Sequence, residues 1–114
     1  MRDDKARLTD ILEAIERIED YAIRGEEAFR SDELIQSWMV RHIQIIGEAA
    51  RAVSQDSRNL APEIPWSDII GMRHIIVHHY FETDLDVVWR VVVTDIPRLK
   101  AMILKLMEKL ETRI

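Results

Sequence analysis

The stretch "GMRHIIVHHYF" at residues 71–81 concentrates side chains that could move protons and hold charge. It contains three of the chain's four histidines, together with Arg73 and Tyr80. Arginine keeps its proton at any working pH, and its planar fork matches the oxygens of a phosphate. Histidine has an unperturbed pKa of about 6.5, so it can both accept and release a proton near neutrality. Together these two types form a minimal kit for cleaving RNA. The ribose 2′-hydroxyl supplies the nucleophile, a histidine moves a proton, and an arginine stabilises the charge that builds on the phosphorus oxygens.

Each of these residues also has a plain structural use. Met72, Ile75, Ile76 and Val77 are expected in a core. A single histidine or tyrosine on an apolar helix more often packs and hydrogen-bonds than reacts, and Arg73 alone would pass for a solvated charge. A metal reading rests on His74 and His78, which share a helix face at a spacing of four. A zinc there needs further ligands, and Glu82 and Asp84 fall beyond the expected helix end. The metalloprotease pattern HExxH is absent, because Ile75 holds the glutamate position.

Spacing restricts how the kit is assembled. Arg73 and His78 stand about 140° apart around an ideal helix, and His78 and Tyr80 about 200° apart. Either the helix frays near His78, or the site is shared with another chain. Cleavage needs both a base and an acid, and a two-fold pairing of chains would bring a second Arg73 and a second His78 to the same cleft.

The elements that must position these residues read as helical. Three glycines and three prolines are the only strong punctuation, and no strand-like alternation occurs. Leu8, Ile11, Leu12, Ile15 and Ile18 make a narrow apolar stripe on a first helix, which Gly25 ends or interrupts. Ser31 offers an N-cap ahead of Asp32 and Glu33. A long second helix follows, with a wide apolar face formed by Leu34, Ile35, Trp38, Met39, Ile43, Ile45, Ile46, Ala49, Ala50 and Val53. "SQDSRNLAPEIP" reads as a loop, and a third helix starting near residues 65–67 carries the opening stretch. Thr83 with Asp86 suggests a cap for a fourth. Pro97 then either kinks that helix or starts another after Asp95. The expectation is an all-α bundle of four or five helices, one domain over residues 1–114.

Composition narrows the partners. The net charge is −5, which disfavours a general nucleic-acid coat, since affinity for a polyanion comes from neutralising its phosphates. A pocket using one or two arginines on a single phosphate is compatible with it. The chain has no cysteine, so disulfides and thiolate metal sites are excluded. A charged start and the lack of a long apolar run lead us to expect a cytoplasmic protein with no membrane association.

Arg73, His78 and Tyr80 match the Arg-x4-His-x-Tyr motif of the HEPN ribonucleases. The wider run "EIPWSDIIGMRHIIVHHYFETDLDVVW", the later "DIPRLK" and "IIGEAAR" resemble the HepT-like branch in particular. That resemblance covers nearly the whole chain, in order and in length. It implies a helical bundle that pairs as a homodimer, with the motif lining a cleft between protomers. It also implies a toxin ribonuclease that uses no cofactor or metal and cuts tRNA or mRNA. An MNT-type nucleotidyltransferase antitoxin, bound to the dimer or in a higher assembly, would silence it by transferring AMP to the motif tyrosine. On this reading Arg73 and His78 are the catalytic pair and Tyr80 is the AMPylation site. His74 departs from the commoner asparagine at its position; phosphate positioning, proton transfer and no role all stay open for it. His79 receives no role. The competing readings are a non-catalytic helical subunit of a nucleotidyltransferase complex and, behind it, a metal-binding bundle.

Overall fold

The computed structural model describes residues 3–78 and 85–112, with residues 74–78 described by their backbone. The first helix, α1 (Asp4–Ala22), starts where the Asp3 side chain accepts a hydrogen bond from the Ala6 N–H at 2.8 Å. Its apolar residues recur every three or four positions, so Leu8, Ile11, Ile15 and Ile18 lie on one buried stripe. Each such side chain contributes roughly 1.5–3 kcal/mol through burial. Gly25 interrupts the helical run as expected. It has a φ of 92°, a left-handed conformation that glycine adopts without a side-chain penalty.

Short α2 (Glu26–Ser31) follows, then α3 (Glu33–Arg51). The N-cap of α3 is Asp32, whose carboxylate accepts from the Leu34 N–H at 2.8 Å. Ser31, which the sequence suggested for this role, is the last residue of α2 instead. Asp32 has the extended backbone that a cap requires, and its charge suits a helix N-terminus.

The central position expected for α3 is observed. It packs on α1, α2, α5 and α6, and Ile35, Met39, Ile43, Ile46, Ala49 and Ala50 are buried. Leu34 departs from the expected face and is 81% exposed. In the same turn Ile35 is buried, so Leu34 lies on the side of α3 that faces away from the core. Trp38 fastens α3 to α1 by donating its Nε1–H to the Arg17 carbonyl at 2.8 Å.

The stretch read as a loop contains a further short helix, α4 (Gln55–Asn59), capped by the Ser54 hydroxyl. Two prolines end the segment, but neither lies in that turn. Asp4 ties α4 to the start of α1: its carboxylate accepts from the Ser54 N–H at 2.9 Å and from the Ser54 and Ser57 hydroxyls. Burial pushes the Asp4 pKa up, but these hydrogen bonds to the charged form outweigh it and hold the group below the usual value.

Helix α5 (Trp66–His78) then lies against α3. The chain resumes in α6 (Leu85–Arg90), which passes through one π-helical turn, Val91–Asp95, into α7 (Ile96–Glu111). Pro97 explains that turn. It lacks an N–H, and the Ile96 N–H reaches back five residues to the Val91 carbonyl. Asp86, expected in a capping pair with Thr83, forms an ion pair with Arg30 of α2; Thr83 lies outside the described residues. Four long helical bodies, α1, α3, α5 and α6–α7, therefore enclose one core, with α2 and α4 as short connectors. No described helix is long and apolar enough to cross a membrane.

Candidate functional site

Arg73 sits in the middle of α5, where that helix meets α3. Its neighbour across the gap is Gly47. A Cβ built on Gly47 would lie 3.0 Å from the Arg73 Cβ and 3.3 Å from the Ile69 carbonyl oxygen. Glycine inside a helix costs about 1 kcal/mol relative to alanine, so a glycine here needs a packing reason. The close approach of α5 supplies one. Removing the side chain at position 47 lets the α5 backbone come in and sets where Arg73 emerges.

The next residue of α3 holds the guanidinium. Glu48 forms an ion pair with Arg73 Nη1. The Arg73 side chain is only 17% exposed, whereas that of Glu48 is 57% exposed. A pair open to water on one side is worth at most about 1 kcal/mol. It can orient the arginine fork and still yield to an incoming phosphate, whose charge-assisted bonds to a guanidinium are stronger.

Arg73 and Glu48 also border a surface groove of about 800 Å³ between α1 and α3. His42 lines it from α3, but its role is structural. It is buried, with Nδ1 2.8 Å from the Trp38 carbonyl and its ring packed at a tilt of 44° against Trp38, centroids 4.3 Å apart. A carbonyl only accepts, so Nδ1 is the donor nitrogen.

His74 follows Arg73, and His78 is the last residue of α5. Tyr80, like His79, lies outside the described residues. Since α5 is helical through His78, the angular offset of about 140° between Arg73 and His78 applies to this chain. Among the described residues no three His, Asp or Glu side chains come together as a metal ion would need. Sequence reading missed Glu48 and gave Gly47 no part. The pairing of Glu48 with Arg73 spans 25 residues and leaves no local pattern. A glycine inside an otherwise strong helical run was the one available signal.

The described residues thus form an all-helical bundle in which an arginine with a buried stem on α5 is followed five residues later by a histidine. Comparison with known proteins makes the assignment specific. The family model described as "Ribonuclease HepT-like" matches residues 11–106, and the chain belongs to that family. It is 42% identical over 106 residues to "Probable ribonuclease HepT" of Thermococcus cleftensis, covering 92% of this chain and 96% of that protein. It is 35% identical over 100 residues to "Putative RNase MJ1380" of Methanocaldococcus jannaschii, covering 87% of this chain and 92% of the relative. A third relative, from the same archaeon, is "Gamma-glutamylcyclotransferase and putative RNase MJ0434". Identity to it is 41% over 111 residues, or 96% of this chain, which spans only 50% of that protein's length. No solved structure matches the chain.

Proposed function

We propose that the chain is a metal-independent endoribonuclease and the toxin of a toxin–antitoxin pair. The observation that carries this reading is Arg73: held half-buried against Gly47, oriented by a weak pair with Glu48, and followed by His78 at the family's motif spacing. In the reaction the 2′-oxygen attacks phosphorus and the bond to the 5′-oxygen breaks. A proton leaves the 2′-hydroxyl and another reaches the departing oxygen, and His78 serves in this transfer. Arg73 stabilises the charge on the non-bridging oxygens. Arg73 and His78 hold positions about 140° apart around one helix, so a homodimer completes the site, with acid and base drawn from both chains.

This chemistry leaves a 2′,3′-cyclic phosphate and a 5′-hydroxyl. Purified protein in EDTA is expected to cut RNA and leave those ends, read by end-specific ligation and sequencing of tRNA and mRNA. Ends of 3′-hydroxyl type, or cleavage that stops with EDTA, would sink the mechanism.

Regulation follows from Tyr80. An MNT-type nucleotidyltransferase encoded as the antitoxin would transfer AMP from ATP to its hydroxyl: the tyrosine oxygen, losing its proton, bonds to the α-phosphorus and pyrophosphate leaves. The phosphodiester formed is an anion two residues from His78 and competes with RNA for the Arg73 guanidinium. Tyr80→Phe is expected to keep RNA cleavage and growth arrest while losing the AMP mass increment on co-expression. An unchanged increment in that variant would show that another residue is modified.

A second reading has one observation in its favour. Arg73 is engaged by Glu48, as it would be in a non-catalytic helical subunit of a nucleotidyltransferase complex. Expression of this chain alone separates the two, because a binding subunit leaves growth and RNA intact.

A further inference from the structure

The groove beside Arg73 is basic on an acidic protein. Four more arginines line it, Arg7 and Arg17 from α1 and Arg41 and Arg51 from α3. With Arg73 they face three carboxylates, Asp10, Glu13 and Glu48, whereas the whole chain has a net charge of −5. Sequence order hides this concentration, because the arginines come from helices far apart in the chain.

Their arrangement follows from helix geometry. Arg7 and Arg17 are ten residues apart on α1, and Arg41 and Arg51 ten apart on α3, which is about 15 Å along each axis. The two helices run in opposite directions. Trp38 of α3 bonds to the Arg17 carbonyl, while Asp4 of α1 bonds to Ser54 just past the end of α3. Arg17 and Arg41 therefore flank one end of the groove, and Arg7 and Arg51 the other. Arg73 enters between them, opposite Gly47 and Glu48.

The state of these side chains points to an anionic ligand. Among the described residues, none of Arg7, Arg17, Arg41 and Arg51 is in an ion pair. Arg7 is half-buried, and its Nε is sealed from solvent with no hydrogen-bond partner among the described residues. A buried guanidinium donor left unpaired costs free energy that an acceptor would recover. Two arginine pairs about 15 Å apart also suit a repeating anion. Phosphates in one strand of a nucleic-acid helix recur at roughly 3.4 Å along its axis, so such a groove spans several.

We propose that the groove between α1 and α3 is a phosphate track that holds one RNA strand on both sides of the bond presented to Arg73. This rests on the ribonuclease reading and assigns Arg7, Arg17, Arg41 and Arg51 to substrate binding. The track explains how an acidic chain engages a polyanion: its positive charge is confined to one groove.

The test measures binding without cleavage. The full chain is titrated onto a fluorescent 2′-O-methyl oligoribonucleotide, which has no free 2′-hydroxyl to attack, over a range of salt. Arg17 and Arg41 are exposed, so the double variant Arg17→Gln/Arg41→Gln leaves the core alone. It is expected to weaken binding by about tenfold and to flatten the slope of log K against log salt by roughly 0.7 for each phosphate no longer neutralised. The charge-matched Arg90→Gln/Arg98→Gln double, whose residues are exposed and do not line the groove, should bind like wild type. Equal weakening in both doubles would reduce the effect to net charge and overturn the track. Unchanged RNA binding with reduced capture of a co-expressed nucleotidyltransferase would assign the groove to a protein partner, and also overturn it. Specific weakening in a protein that cuts no RNA would uphold the track and overturn the nuclease reading.

Discussion

His78→Ala is expected to lower single-turnover RNA cleavage in EDTA by about 10²- to 10⁴-fold, the range for losing a positioned proton-transfer group. Arg73→Ala should cost about 10²- to 10³-fold, as removal of a transition-state charge stabiliser does. The two losses should not add. Residues that act on one transition state fail as a unit, so the double variant should be little worse than His78→Ala. Arg73→Lys is the informative control. It keeps the charge but loses the planar fork, so it should fall between wild type and Arg73→Ala if two phosphate oxygens are gripped together. Arg73→Ala also leaves Glu48 without its partner, but that pair is half open to water and contributes at most about 1 kcal/mol. Matching far-ultraviolet dichroism and melting temperatures would show that the loss is chemical. Cleavage within tenfold of wild type in His78→Ala would remove His78 from the reaction and overturn its assignment as the proton-transfer group.

The residues differ in how far sequence alone reveals them. Helical periodicity exposed the stripes of α1 and α3, because burial on one side forces apolar residues to recur each turn. Gly25 and Pro97 marked real breaks for backbone reasons that hold in any context. The short helix α4 escaped notice. Five polar residues carry no apolar period, and only the Ser54 cap and the tie to Asp4 organise them. Arg73, His78 and Tyr80 could be proposed from sequence because their types and spacing lie within one short segment. Glu48 and the groove arginines were not, since what joins them is the antiparallel packing of α1 on α3 and the packing of α3 on α5. Local chemistry can be read along a chain, whereas an electrostatic surface assembled from several helices must be seen folded.

Position 47 offers a test of the way the scaffold sets the site. Two effects compete in Gly47→Ala. Alanine gains up to about 1 kcal/mol of helix propensity, but its Cβ would stand 3.0 Å from the Arg73 Cβ and 3.3 Å from the Ile69 oxygen. Both distances are tighter than ordinary packing, and neither neighbour is the end of a flexible side chain. Gly47→Ala is therefore expected to be near neutral in stability, with α5 pushed outward by a few tenths of an ångström. Gly47→Val adds two methyl groups to the same gap and should destabilise the fold by about 1–3 kcal/mol, the usual cost of overpacking. Gly71→Ala provides the reference, because a Cβ there meets nothing within 4 Å and only the propensity gain applies. Urea denaturation of the three variants checks the order Gly71→Ala, Gly47→Ala, Gly47→Val from most to least stable. Activity should separate them further. A displacement of about 1 Å in a catalytic group can cost about 10²-fold, so Gly47→Val should lose cleavage well beyond its folded fraction, and Gly71→Ala should lose none. If Gly47→Val cuts RNA normally once corrected for folding, the close approach of α3 and α5 serves packing alone and does not place Arg73.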